Sequence, residues 1–171
     1  MNDPSAILKA ISAYATAYAA LEALQGGSSL LPRGDQKTGC FGEFYARLYL
    51  QRARPLATVV FGGHSNKAWD LRVTEGPREL LVQVKTVSGF SATRVLSPIH
   101  HGWHQLFVVS LDRAFRPDGF WVVPPPDIPA TAYPLKAVRA PSPSSSMPRS
   151  GLLDFSNSQL AELLLAIAPG T

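Results

Sequence analysis

Four residues of this 171-residue chain carry side chains that could act together on a phosphate ester: the carboxylates of Glu43 and Asp70, the amide of Gln83 and the ammonium of Lys85. Mg²⁺ and Mn²⁺ take oxygen ligands in near-octahedral geometry and keep several waters, so one or two carboxylates with an amide or backbone oxygen can hold such an ion beside a substrate phosphate. A cation held there activates water and neutralises charge developing at phosphorus, and a neighbouring ammonium adds to both effects. The spacing within Glu79 to Val87 is the sharpest part of this signal. Period two puts Leu81, Gln83, Lys85 and Val87 on one face of a strand, so Gln83 and Lys85 project side by side. A lysine between Val84 and Val87 is costly to bury unless an anion meets it, which calls for a carboxylate or a phosphate partner.

The elements that must position these groups are legible from punctuation and periodicity. Asp3 before Pro4 starts a helix over about 4–25, with apolar positions at Ile7, Ile11, Tyr14, Tyr18 and Leu21, and Gly26-Gly27 ends it. A second helix over about 38–53 carries Phe41, Phe44, Tyr45 and Leu48 and stops at Pro55, which places Glu43 near its start. Residues 57–61, 68–74 and 79–87 read as a three-strand meander turned at Gly62-Gly63 and Gly76-Pro77, so Asp70 falls on the strand paired with the one that carries Gln83 and Lys85. Residues 106–111 and 120–123 read as two further strands, turned at Arg116-Pro117-Asp118-Gly119, while 88–105 shows no regular pattern. Residues 124–148, rich in Pro and Ser, read as an extended surface excursion, and a last helix starts near Ser156. There Ser156 and Gln159 have capping-box spacing, ahead of a buried stripe of Leu160, Leu163, Leu164 and Ile167. The expected architecture is one domain over 1–171 of mixed α/β (α+β) class, a central sheet of about five strands flanked by helices, with no internal repeat.

Gly42-Glu43 on a helix, then Asp70, then Gln83-Val84-Lys85 in a hydrophobic strand, resembles the PD-(D/E)XK nuclease superfamily with its restriction-endonuclease-like fold. The segments Val95 to Pro98, Leu106 to Val109 and Phe120 to Pro124 extend the likeness to small bacterial proteins with a Gln-x-Lys form of the motif, across roughly residues 33–128. The resemblance implies an α-β-β-β-α-β core and hydrolysis of DNA phosphodiester bonds with Mg²⁺ or Mn²⁺. It implies metal held by Asp70, Gln83 and the Val84 carbonyl, with Glu43 matching the helix glutamate of Holliday-junction-resolvase-like members and Lys85 the catalytic lysine. The chain departs from the usual pattern in the neutral Gln83, where a second acid is customary, and in lacking a Pro before Asp70. The alternative is therefore a weakly active or inactive nuclease-fold protein that binds nucleic acid or a protein partner, as an immunity or adaptor module.

Each feature also has a plainer reading. Glu43 and Arg47 have the i, i+4 spacing that stabilises exposed helices, Asp70 can be a turn-adjacent surface acid, and Lys85 an edge-strand guard against aggregation. Arg33, Lys37, Arg47, Lys67 and Arg72 gather on the elements that supply the site, as a phosphate-tracking groove requires, but also as any solvated basic face would. Thr86 and Ser88 could contact phosphate or be ordinary strand-end hydroxyls, and Trp69 and Trp103 could stack on bases or fill the core. His100, His101 and His104 are a weak imidazole cluster interrupted by Gly102, Cys40 reads as a small buried residue, and Ser97, Asp112 and His104 lack a nucleophile elbow.

Sixteen basic against twelve acidic residues give a net charge of +4, which suits a polyanionic partner, DNA foremost. The single cysteine excludes a disulfide framework and fits a reducing cytoplasm. In the C-terminal half the longest apolar run, Leu163 to Ala168, is too short for a membrane span, and Met-Asn-Asp-Pro-Ser lacks the positive start of a signal peptide. The Ala/Tyr-rich surface of the first helix suggests a homodimer.

Overall fold

The structure, a computed structural model, describes residues 3–25, 37–62, 67–144 and 149–168. Asp3 accepts a hydrogen bond from the Ser5 N–H at 2.9 Å and opens helix α1, Pro4–Gln25. That cap satisfies a donor the helix leaves orphaned and holds negative charge at its positive end. Helix α2 spans Thr38–Ala53 and ends on the Arg54 N–H to Leu50 carbonyl bond, just before Pro55. Both helices take the bounds expected from the sequence.

Five strands, β1 Thr58–Phe61, β2 Leu71–Glu75, β3 Arg78–Ser88, β4 Gln105–Leu111 and β5 Pro117–Val123, form one sheet in the order β1-β2-β3-β4-β5. The first three make an antiparallel meander, β4 lies parallel to β3, and β5 returns antiparallel. With α1, α2 and the short α3, Leu160–Ile167, this is a five-stranded mixed sheet flanked by helices, the α+β class expected.

Strand alternation divides the apolar residues between two cores. Val82, Val84, Phe107, Val109, Phe120 and Val122 point to the helices, where Ile11, Tyr18, Tyr45, Leu50 and Leu163 meet them. Val87, Leu106, Val108, Trp121 and Val123 point the other way, onto Leu96, Ile99, Trp103, Leu135, Leu153 and Phe155.

Three expectations are corrected. The connection from β3 to β4, residues 89–104, contains no helix, so the crossover helix implied by the α-β-β-β-α-β resemblance is replaced by irregular chain. Instead of helical bonds, this chain forms bridges to the Pro-rich segment, Val95 to Arg139 and Ile99 to Leu135. The Pro-rich segment keeps most of its described residues exposed, as expected, while Leu135 and Ala140 are buried against the second core. Pro117, Asp118 and Gly119 lie inside β5 beside an irregularity at Ser110/Leu111, and the turn comes earlier, where the Asp112 carboxylate accepts from Ala114 and Arg116 N–H groups at 2.8 Å each. Finally, α3 begins at Leu160: Gln159 makes no side-chain cap and its amide donates to Asn157, while residues 156–159 bond the outer edge of β5. Leu164 of the expected buried stripe is 43% exposed.

Candidate functional site

The site is built on a change of partner along β3. Its pairing with β2 ends at Val82 opposite Leu71, whereas its pairing with β4 runs from Val82 to Ser88. Beyond Val82, the side of β3 that faced β2 carries no paired strand among the described residues. Asp70 sits one residue before β2, not inside a strand as expected, and occupies this fork. Its N–H donates to the Val82 carbonyl at 2.9 Å and its Oδ2 accepts from the Val84 N–H at 2.7 Å. The carboxylate thus ends the ladder that the β2 backbone has abandoned. A strand residue directs its N–H and C=O to the same side, so the Val84 carbonyl shares the side on which Asp70 lies.

Gln83 is 1% exposed. Its Nε2 donates to the carbonyls of Lys67 at 2.8 Å and Ala68 at 3.1 Å. Two carbonyl acceptors fix which end of the amide is nitrogen, and Oε1 is left buried without a hydrogen-bond partner. A buried acceptor without a partner costs free energy, and a cation can supply that partner.

Helix α2 brings Glu43 to the same edge. A Cβ placed on Gly42 would come within 1.9 Å of the Thr86 Oγ1, so only glycine lets the helix approach β3 this closely. Burial, reinforced by the Asp70 carboxylate, pushes the Glu43 carboxyl up from 4.5 to about 7, while Lys85 opposes the shift. Burial also raises Asp70, against the Val84 hydrogen bond and Lys85, and lowers Lys85, against Asp70 and Glu43. These mutual effects bring Glu43, Asp70 and Lys85 into one electrostatic cluster at the fork, with Gln83 beside Lys85 on the strand.

The fit to a divalent cation rests on hard oxygens: two carboxylates, the orphaned Gln83 Oε1 and the Val84 carbonyl. Glu43, Asp70, Gln83 and Val84 are the residues that would hold it. Among the described residues no group of three or more His, Cys, Asp or Glu side chains is placed to bind a metal. A site here therefore depends on its amide and backbone oxygens.

The remaining candidates divide. Lys37 and Lys67 are exposed, and Lys67 adjoins the site through its carbonyl. Arg47 lies over the Phe61 ring at 5.0 Å from its centroid. Arg72 lies 5.8 Å from the Trp69 ring centroid and 3.9 Å from Glu79. Arg33 falls outside the described residues. Thr86 keeps its hydroxyl buried against Gly42 without a partner. Ser88 is 7% exposed and its Oγ accepts from the Phe90 N–H, so its hydroxyl serves the turn after β3. Trp103 is buried, with its indole donating to the His100 carbonyl, and His104 accepts the Leu81 N–H through Nδ1, so both are structural. Cys40 is exposed, contrary to the expectation of burial. No helix among the described residues is long and apolar enough to cross a membrane.

No family model matches this chain, and no curated protein matches its sequence.

Proposed function

We propose that the protein is a metal-dependent nuclease of the PD-(D/E)XK type, hydrolysing DNA phosphodiester bonds with Mg²⁺ or Mn²⁺. The observation that carries this reading is the cluster at the fork: two carboxylates of raised pKa and a lysine of lowered pKa, together with a buried amide oxygen lacking a partner. Groups perturbed by burial and by one another concentrate at sites of chemistry. Bound between these oxygens, the cation would supply Lewis acidity toward water and positive charge against the phosphoryl oxygens.

The chain's own groups do the rest. The Val84 N–H fixes the rotamer of Asp70, and the two loop carbonyls fix that of Gln83, so both oxygens are held before substrate arrives. Lys85 directs its ammonium at the phosphate and stabilises the charge that grows on its oxygens. Glu43, whose ionisation burial delays to about 7, would lose its proton to complete the oxygen set around the cation; the attacking water gives its proton to solvent, and the ester oxygen released as the P–O bond breaks takes one up from solvent. Lys37, Arg47 and Lys67 supply phosphate contacts along the flank, which makes binding weaken with salt.

A second reading has a specific observation behind it. The neutral Gln83 leaves the site with one negative charge fewer than a set of three acids, which favours a nucleic-acid-binding or adaptor protein of the same fold with weak or no cleavage. One assay separates them: duplex, branched and single-stranded DNA, and RNA, incubated with Mg²⁺, Mn²⁺ or EDTA. The nuclease reading expects cleavage that EDTA abolishes and that Lys85→Ala lowers at least 100-fold. Cleavage that is absent, or indifferent to both EDTA and Lys85→Ala, rejects it.

A further inference from the structure

Beside the site lies a groove of about 830 Å³ between α1, α2 and the end of β1. Tyr14, Phe41, Phe44, Leu48 and Phe61 give it an apolar, mainly aromatic lining, and its charged lining residues, Lys37 and Arg47, are both cationic. Among the described residues no carboxylate lines it. Two links join it to the proposed chemistry. Arg47 stands one helical turn beyond Glu43 on α2. Phe61 pairs with Leu71, and the next N–H, that of Gly62, donates to the Asp70 carbonyl at 2.7 Å.

We propose that this groove binds unpaired nucleobases, so that the substrate is a nucleic acid with a single-stranded stretch next to the scissile phosphate. The inference rests on the nuclease reading for what happens at that phosphate, but its binding claim can be tested separately. An intact duplex keeps its base faces stacked inside and shows phosphates outward, so it could use the two cations but not the aromatic lining. An unpaired strand uses both. Its phosphates meet Lys37 and Arg47, and its bases lie against rings, of which Phe61 is 45% exposed with the Arg47 guanidinium already over its face. The volume lies within the range of small-molecule pockets and admits more than a single base.

Phe61→Leu keeps the site apolar but removes the π face, and the exposure of this ring makes the change tolerable to the fold. Cys40, the only thiol of the chain, is exposed and lines the same groove, so its alkylation rate reports occupancy. The experiment measures binding of a labelled 20-nucleotide DNA strand and of its duplex in EDTA, alongside alkylation by N-ethylmaleimide. The expected result is single-strand binding at least 10-fold tighter than duplex binding, and at least 5-fold slower alkylation with the strand present. Phe61→Leu should weaken single-strand binding about 5-fold or more and leave duplex binding unchanged. Equal affinity for the two forms, or single-strand binding indifferent to Phe61→Leu, overturns the proposal. So does alkylation that slows with protein concentration alone while sedimentation shows a dimer, since the groove is then covered by a second copy. Loss of cleavage on every substrate with these binding results intact rejects the nuclease reading only, whereas cleavage with equal binding of both forms rejects the groove only.

Discussion

Glu43→Gln should make the metal-free protein more stable at alkaline pH, against the usual direction for removing an internal polar group. The carboxyl ionises at about 7 in the fold, above its ordinary 4.5, because burial and the Asp70 carboxylate disfavour its charge. The folded protein therefore binds more protons than the unfolded chain between those values. Stability is fully present below about 4.5, falls as pH rises through the window, and remains reduced above 7. Each unit is worth about 1.4 kcal/mol, which sets an upper bound of about 3 kcal/mol, and partial solvent exposure reduces it to about 1–2 kcal/mol. Gln has nearly the same shape and no charge to bury. Urea unfolding at pH 4, 6 and 8 in EDTA should show equal midpoints at pH 4 and an advantage of about 1–2 kcal/mol for the variant at pH 8. Asp70 titrates in both proteins, so the difference isolates Glu43 and its coupling to its neighbours. Added Mg²⁺ at pH 8 selects the ionised carboxyl and should stabilise the wild type more than the variant. Parallel midpoints across the pH range, or a variant weaker at pH 8, would refute the burial argument and with it the placement of Glu43 in the cluster.

Three further outcomes follow from the same geometry. Gln83→Glu sets a carboxylate oxygen against the Lys67 and Ala68 carbonyls, so the metal-free protein should lose about 1–3 kcal/mol in urea unfolding while Mn²⁺ affinity, read by calorimetry, rises at least 10-fold. Gly42→Ala collides with Thr86 and should push α2 away from β3, lowering both the melting temperature and any cleavage rate, with partial recovery in Gly42→Ala/Thr86→Ala. His104→Ala removes the acceptor of the solvent-accessible Leu81 N–H and should cost about 0.5–1 kcal/mol of stability without changing metal affinity, which separates this imidazole from the site.

The parts of the fold that were legible are those whose signals are local. Asp3-Pro4, Pro55 and Gly76-Pro77 bound α1, α2 and the β2–β3 turn because capping, a missing N–H and a positive φ act within a few residues, and Gly76 does take φ +57°. The side-by-side placement of Gln83 and Lys85 was legible for the same reason, since alternation in a strand is local. What failed depended on tertiary pairing. Pro117-Asp118-Gly119 has turn chemistry, yet its pairing with β4 holds it in a strand, and the turn signal belonged to Asp112. Leu135 and Ala140 gave no periodic signal because they fill a core from irregular chain. Phe61 beside the site was missed altogether: an aromatic at the end of a short strand looks like core, and only the three-dimensional arrangement shows its ring at the mouth of a groove.

The fork in the sheet has a consequence beyond chemistry. A strand flank without a neighbour invites a stray chain to dock there, and proteins ordinarily blunt such flanks with charge. Here Asp70 is the blunting device, because it occupies the first N–H of that flank beyond the β2 pairing and sets a negative group in the path of any incoming backbone. The carboxylate offered to a cation is thus also the guard against clumping. Removing it would leave β3 open to promiscuous pairing, so a variant such as Asp70→Ala should aggregate at concentrations the native chain tolerates, whether or not it ever cut a strand of DNA.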